Sequence, residues 1–205
     1  MRGENPFQRT AEWYTERCGC LTASNAKKAF ARLKNGDKGD TYWNEVFRVA
    51  AEQRTGKIED AFVTQAMVHG IETEPEARAM YELETGNDVT LTGFVKYPEF
   101  SFLGASPDGL VGEDGLIEIK CPTQTTFTKW QFLGEVPDEH KPQMLVQLIC
   151  TGRKWCDFVA YCADCEESIF IKRYEPSEED KAKALDLCLE FLADVDEVVE
   201  KVSNA

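Results

Sequence analysis

Three residues in the stretch 101–122 carry side chains that could do chemistry together. Asp108 follows a short apolar run, and Glu118 and Lys120 lie two positions apart in a second run beyond a Gly-rich loop. Two apolar runs around such a break predict a hairpin or two neighbouring strands. Because side chains alternate along a strand, Glu118 and Lys120 point to one face and the isoleucines flanking Glu118 point to the other. We therefore expect two carboxylates and a lysine on a shared face.

This set of side chains suits metal-assisted hydrolysis of a phosphodiester. Mg²⁺ binds few protein carboxylates and completes its shell with waters and phosphate oxygens. A bound metal lowers the pKa of its water and neutralises charge on the phosphate, and a nearby lysine can orient that water. The alternative is an ordinary Pro-Asp-Gly turn followed by a solvated strand face. The apolar residues around Glu118 favour the functional interpretation, because a charge in a buried strand is costly without a role.

Length and composition predict one globular domain over residues 1–205. The chain is 42% hydrophobic and 29% charged. We find no signal peptide and no apolar run near the roughly 18 residues of a membrane span. Eight cysteines without an export signal indicate reduced thiols. We therefore expect no membrane association and a cytoplasmic location.

The charge distribution weakens a nucleic-acid-binding interpretation without excluding it. The net charge is −14, and residues 175–205 hold ten acidic and three basic residues, which gives −7 there. A strongly acidic chain does not present a generally basic surface. An acidic exterior can nevertheless coexist with a local basic groove.

The hydrophobic patterns predict an α/β fold in which a mixed central sheet is flanked by α-helices. Segments 123–127 and 130–133 are ambiguous. Predicted helices cover 6–17, 24–34, 41–55, 61–69, 72–84, 140–150 and about 25 residues after Ser177. Predicted strands cover 89–91, 93–97, 101–105, 115–119, 155–162 and 168–174.

A second candidate site lies near the N-terminus. Thr22 or Ser24 could cap the helix predicted from residue 24, and Arg17 lies just before it. Free amides at a helix start together with an arginine suit a phosphate. A plain cap beside a surface arginine is the competing interpretation. Glu74, at the predicted start of another helix, needs only the helix dipole to explain it.

Other chemistries have weaker support in the sequence. Cys162 and Cys165 form a CxxC pair that is not repeated, so buried thiols are favoured over an iron–sulfur or zinc site. His69 and His140 have no ligand spacing and no evident nucleophile partner. Phosphate-binding glycine motifs are absent, so no nucleotide cofactor is expected.

At four places the sequence resembles the viral-type recombination nucleases of the phage lambda exonuclease kind, within the PD-(D/E)XK, or restriction-endonuclease-like, superfamily. The segment SPDGLVGEDGLIEIKCP resembles the core motif of that family. The segments RCGCLTAS, HGIETEPEAR and KPQMLVQLICTG resemble its other motifs, in the same order. The resemblance runs from about residue 12 to about residue 174.

The resemblance implies roles for individual residues. Asp108 and Glu118 would bind the catalytic metals with the carbonyl of Ile119, Lys120 would act on the attacking water, and Glu74 would support a second metal or that water. The residues implied in DNA binding are Arg17, Ser24 and Ser106 for a terminal 5′-phosphate, Gln143 for the scissile end and Lys34 in a charged loop.

The resemblance also implies an activity and partners. These are 5′→3′ digestion of one strand of double-stranded DNA from 5′-phosphorylated ends, dependence on Mg²⁺ (with Mn²⁺ as the alternative ion), a homotrimeric ring and a single-strand annealing protein as partner, in a bacterial or phage-infected host. Rival interpretations are an endonuclease or iron–sulfur exonuclease on the same core, and a DNA-binding protein without catalysis. Intact Asp108, Glu118 and Lys120 argue against the last of these.

Overall fold

The computed structural model describes residues 5–58 and 64–204. The helices are α1 (Ala11–Arg17), α2 (Ala26–Ala29), α3 (Asp40–Thr55), α4 (Gln65–Thr85), α5 (Gln124–Leu133), α6 (Lys141–Thr151) and α7 (Glu178–Ser203), with a short 3-10 turn at Ala23–Asn25. The strands are β1 (Leu21–Thr22), β2 (Val89–Thr90), β3 (Val95–Tyr97), β4 (Phe100–Ala105), β5 (Gly109–Val111), β6 (Gly115–Lys120), β7 (Trp155–Tyr161) and β8 (Ile169–Tyr174).

The strands form two mixed sheets. The larger sheet has the order β2-β5-β6-β7-β8, in which β6 and β7 run parallel and the other neighbours run antiparallel. The smaller sheet has the order β1-β4-β3, in which β1 and β4 are parallel. The mixed sheet of the predicted fold is therefore present, with three strands set apart as a second sheet.

Helices cover both faces of the β6–β7 pair. On one face, Leu116 and Phe158 pack in a buried cluster with residues of α5 and α6. On the other face, Ile117 and Val159 pack with Ala77 and other residues of α4. Because both faces are covered, β6 reads as a nearly continuous apolar run in which a charged residue stands out.

The prediction that residues 101–105 and 115–119 form a hairpin or two neighbouring strands is wrong. Strand β4 belongs to the smaller sheet, and the partner of β6 is β5, which forms inside the supposed loop. Gly109 lets β2 pack closely against β5, because a Cβ at Gly109 would lie 2.1 Å from a side-chain carbon of Val89. The glycine-rich stretch therefore contains a short strand, although its composition predicts a loop.

Several predicted helix boundaries are also wrong. Helix α1 begins at Ala11, where Thr10 caps it by accepting from the backbone of Trp13, so residues 6–9 lie outside the helix. The helix predicted over 24–34 is only the single turn of α2. The guanidinium of Arg32 donates to the carbonyl of Ala29, and a tight turn follows at Leu33. Bonding of the last carbonyls by a side chain ends the helix there.

The two helices predicted over 61–69 and 72–84 are one helix in the part of the chain that is described. Helix α4 runs through Pro75 without a break, and residues 61–63 lie outside the described residues. Glu74 is therefore in the interior of a helix, and the expectation that it lies in a first turn is wrong. The ambiguous segments join to form α5.

The last helix follows its sequence pattern. Ser177 caps α7, and its hydroxyl accepts from the backbone of Asp180, whose carboxylate accepts in return from the backbone of Ser177. Phe191 and Val195 of α7 are fully buried against α3 and α6. Within the described ranges, no helix has the length and apolar content needed to cross a bilayer.

Candidate active site

The sheet register brings Asp108 beside Glu118. Gly109 is paired with Ile117 in the antiparallel β5–β6 ladder, so Asp108 follows on opposite Glu118. The carboxylate of Asp108 accepts from the backbone N–H of Ile119 at 2.7 Å. One carboxylate is thus fixed against the strand that carries the other.

Glu118 is only 1% exposed, and both of its oxygens have partners. Oε1 accepts a hydrogen bond from the ammonium of Lys120, and Oε2 accepts from Nε2 of Gln147 at 2.5 Å. The expected pairing of Glu118 and Lys120 on one face is present. Gln147, which is fully buried on α6, completes the surroundings of the glutamate.

The electrostatics of the site show excess negative charge. Burial, with the charges of Glu118 and Glu74, raises the pKa of Asp108 well above its ordinary value. Burial acts to lower the pKa of Lys120, but the charges of Glu118 and Asp108 outweigh it and raise that pKa. A carboxylate whose pKa is raised by neighbouring negative charges is stabilised in its ionised form by a bound cation.

The donor set fits a hard divalent cation. Asp108 and Glu118 are neighbouring carboxylates, and the carbonyl of Ile119 lies between Glu118 and Lys120 in the chain. Mg²⁺ needs only one or two protein carboxylates, with waters and phosphate oxygens filling its octahedron. Among residues 5–58 and 64–204, no group of three or more His, Cys, Asp and Glu residues is arranged to hold a metal ion.

Glu74 is held by two arginines. Arg9 donates to Oε2 at 2.9 Å, and Arg78, one turn along α4, donates to Oε1 at 2.5 Å. Its charge contributes to the raised pKa of Asp108, so Glu74 acts on the same site. A role at a second metal therefore requires it to share its oxygens with these guanidinium groups.

Arg17 and Ser106 meet as expected. Ser106 Oγ accepts from the guanidinium of Arg17 at 3.3 Å and from the indole of Trp13 at 2.9 Å. The guanidinium also stacks over the Trp13 ring at 4.0 Å. Since Ser106 is two residues before Asp108, this cluster lies next to the carboxylates.

Ser24 lies in the 3-10 turn that follows β1. Thr22 of β1 is paired with Gly104 in the parallel β1–β4 ladder, and Gly104 is two residues before Ser106. The expected capping is wrong: neither the 3-10 turn nor α2 has a side-chain cap, because the hydroxyls of Thr22 and Ser24 lie 3.1 Å apart and bond each other. Ser24 remains exposed.

A clamp on Gly19 holds the segment that follows Arg17. The carboxylate of Glu52 accepts from the Gly19 N–H at 3.0 Å, and the amide of Gln53 donates to the Gly19 carbonyl at 2.9 Å. Gly19 has φ +73°, and a Cβ there would meet Gln53 at 2.7 Å. The glycine is required because a larger residue would be strained and would displace the clamp.

Two predicted DNA-binding residues lie apart from these contacts. Lys34 is exposed in the turn between α2 and α3. Gln143 is partly buried on α6, and the amide that reaches Glu118 comes from Gln147 one turn later. The sequence signal for Gln147 was its spacing of four residues from Gln143, which puts both on one helix face.

The CxxC pair lies at the β7–β8 connection. The sulfurs of Cys162 and Cys165 are 3.4 Å apart, and both cysteines are free. Cys162 packs in the cluster that contains Trp130, so it belongs to the core under α5. These thiols act as small apolar groups.

Comparison with known proteins identifies the family of the chain. Residues 12–154 match the model of the YqaJ-like viral recombinase domain. The chain belongs to the YqaJ-like viral recombinase family. The crystal structure of an alkaline exonuclease (LHK-Exo) from Laribacter hongkongensis is 36% identical, with a TM-score of 0.87 over 95% of this chain and 97% of that one. The same enzyme in complex with dAMP gives a TM-score of 0.88 at the same identity and coverage.

A more distant structure shows the fold alone. A phage-related exonuclease from Haemophilus somnus 129PT is 16% identical, with a TM-score of 0.64 over 90% of this chain and 95% of that one. A search of curated proteins found no match. The resemblance to viral recombination nucleases and the predicted fold class are confirmed, and this member of the family is a nuclease, as expected.

Proposed function

We propose that the protein is a Mg²⁺-dependent exonuclease that digests one strand of double-stranded DNA in the 5′→3′ direction. The observation that carries this proposal is the position of the Arg17–Ser106 cluster next to the Asp108–Glu118 pair. In this proposal, the group that binds a DNA end and the group that cuts would lie in one site. The 36% identity with an alkaline exonuclease supports the same class of reaction.

Each residue has a defined part in this proposal. Asp108, Glu118 and the carbonyl of Ile119 would hold Mg²⁺, or Mn²⁺ in its place, with Glu74 in support. The ion supplies a water of lowered pKa and neutralises charge on the phosphate. Lys120, kept charged by the carboxylates, orients the attacking water and stabilises the charge that develops in the transition state.

Gln147 has a positioning part. Its amide fixes one oxygen of Glu118 while Lys120 fixes the other, so the buried carboxylate has one rotamer and one orientation. Preorganised groups of this kind lose little energy in reorganising as the reaction proceeds. Gln143 and the exposed Lys34 would contact the DNA further out.

The direction of digestion follows from the Arg17 cluster. A guanidinium, the Ser106 hydroxyl and the exposed Ser24 hydroxyl suit a terminal 5′-phosphate. A phosphate bound there sets the distance from the end to the linkage over the carboxylates. Only a strand that begins with phosphate then enters in the productive orientation.

Assembly and partners belong to the same proposal. We expect a homotrimeric ring around DNA and a single-strand annealing protein that takes up the exposed strand, in a bacterial or phage-infected cytoplasm. The net charge of −14 fits an assembly whose inner surface alone is basic. Light scattering of the purified protein tests the trimer, because a mass of one or two chains would refute it.

The function is tested by incubating the protein with linear and closed circular duplexes, with and without Mg²⁺. An exonuclease degrades only the linear substrate and only with the ion. Cleavage of the circle would show an endonuclease, and no cleavage of either would show a protein that binds without catalysis. Lys120→Ala should lose activity by orders of magnitude and keep DNA binding, and Lys183→Ala on the exposed side of α7 serves as the matched charge control.

A further inference from the structure

The segment before α1 is tied to the backbone next to the catalytic aspartate. The amide of Gln8 donates to the Pro107 carbonyl at 2.9 Å and to the Thr92 carbonyl at 3.1 Å. The amide of Asn5 donates to the same Thr92 carbonyl at 2.9 Å. Because Pro107 directly precedes Asp108, these bonds hold the segment at the edge of the active site.

Arg9 in this segment has an unusual backbone. Its φ is +62°, and in the described residues it is the sole non-glycine residue with a positive φ. An L side chain rarely adopts this conformation, and strained residues concentrate at sites where surrounding contacts enforce them. Both neighbours of Arg9 are held in place. Gln8 is bonded to the Pro107 carbonyl, and Thr10 caps α1.

The strained backbone directs the guanidinium of Arg9 to Glu74. Nη2 of Arg9 lies 2.9 Å from Oε2 of Glu74, and the side chains of Arg9 and Glu74 are 29% and 13% exposed. Arg78, which is 8% exposed, holds the other oxygen of Glu74 from the interior. The two arginines therefore differ: Arg78 is enclosed, and Arg9 keeps a surface that a ligand can reach.

We propose that Arg9 binds the phosphodiester that is cleaved, and this inference rests on the proposed nuclease function. A guanidinium presents five N–H donors in a rigid plane, so Arg9 can keep Nη2 on Glu74 and donate to a phosphate oxygen with its other N–H groups. Glu74 then serves as the anchor that aims Arg9. Arg9 offsets the repulsion that a phosphate meets from the neighbouring carboxylates.

The decisive variant is Arg9→Gly, because glycine accepts φ +62° without strain and the variant removes the whole Arg9 side chain, including the guanidinium. Binding of 5′-phosphorylated duplex ends is measured by fluorescence anisotropy in chelator, where no cleavage occurs. The first internucleotide linkage is either a normal phosphodiester or an uncharged methylphosphonate. Wild type should bind the methylphosphonate duplex roughly tenfold more weakly, which is the cost of one charge-assisted contact. Arg9→Gly should bind the two duplexes equally.

Arg17→Ala is the matched control in the same site. It should lose affinity for the 5′-phosphate and still discriminate between the two linkages as wild type does. Arg9→Lys should regain part of the discrimination, because it restores the charge. The melting temperature of Arg9→Gly should equal or exceed that of wild type, and if it does not fold, Arg9→Asn supplies the same measurement with a residue that tolerates a left-handed backbone.

The binding measurements separate a failure of the Arg9 inference from a failure of the proposed nuclease function. If Arg9→Gly discriminates between the linkages as strongly as wild type, Arg9 does not touch that phosphate and serves only to hold Glu74. If wild type binds neither duplex end, the failure lies in the proposed function itself and the inference falls with it. Equal binding by Arg9→Gly together with discrimination by wild type and Arg17→Ala supports the assignment.

Discussion

The most informative perturbation of the end-binding cluster is Arg17→Ala. We expect wild type to digest 5′-phosphorylated duplexes faster than 5′-hydroxyl duplexes, and Arg17→Ala to lose most of that preference. The carboxylates of Asp108 and Glu118 keep their own contacts in this variant, because the guanidinium of Arg17 donates to Ser106. The effect should therefore appear as a change in the ratio of the two rates.

The magnitude follows from the surroundings of the guanidinium. Burial lowers the pKa of Arg17 to about 10, which shows that the charge has already lost much of its hydration. The guanidinium of Arg17 donates to the Ser106 hydroxyl. Its central carbon lies 4.0 Å from the centre of the Trp13 ring and 5.5 Å from the centre of the Phe94 ring. An incoming phosphate thus meets a positioned donor, and one charge-assisted contact contributes about 1.5–3 kcal/mol, or roughly tenfold to hundredfold.

The assay is the initial rate of nucleotide release from duplexes that differ only in the terminal phosphate. Arg17→Lys should retain part of the preference, because it keeps the charge and loses the planar donors. Lys183→Ala, which removes a charge from the exposed side of α7, should leave the ratio unchanged. If Arg17→Ala slows both substrates equally, Arg17 is a general DNA or folding contact, and the reasoning about a phosphate pocket is refuted.

Three further predictions concern other parts of the chain. Gln147→Leu should reduce the cleavage rate roughly tenfold to hundredfold, because it removes the hydrogen bond that holds Glu118, and Gln143→Ala should reduce the rate less; equal effects in single-turnover assays would contradict this. Burial lowers the pKa of His140 from 6.5 to about 4, so the unfolded chain takes up a proton first as the pH falls. The free energy of unfolding should therefore drop by roughly 3 kcal/mol across that range, and denaturant titrations of His140→Phe should show a correspondingly smaller drop. The purified protein should be colourless and, after a chelator wash, fully active once Mg²⁺ is restored; stoichiometric iron or zinc in elemental analysis would instead assign a cluster to Cys162 and Cys165.

Local patterns in the sequence were sufficient to predict that Glu118 and Lys120 share a strand face, and to predict most helices and strands of the fold. The alternation along β6 places Glu118 and Lys120 on one face in any strand, because the side-chain period is a property of the backbone. The apolar stripe and capping residues of α7 likewise act over short distances, and Ser177 caps that helix as predicted. The order of motifs was enough to identify the family, which the comparisons confirm.

Other features depended on which segments meet in space. That β5 pairs with β6 and that β4 joins another sheet is a competition between strands, which no local pattern decides. Residues 6–9 have helical spacing, but contacts of Gln8 with carbonyls more than eighty positions away hold them outside α1. The same long-range contacts set the strained backbone of Arg9.

Some features of the candidate site were likewise predictable from the sequence, and others depended on tertiary contacts. The sequence predicted a candidate site with two carboxylates, a lysine and an arginine, because residue type and strand or helix periodicity are local properties. Only the tertiary structure decided that Gln147 reaches Glu118 and that Arg9 and Arg78 share Glu74. Those choices depend on how α4, α6 and the N-terminal segment pack on the sheet. Packing sums many weak contacts between residues far apart in the chain, and such contacts leave no periodic trace in the sequence.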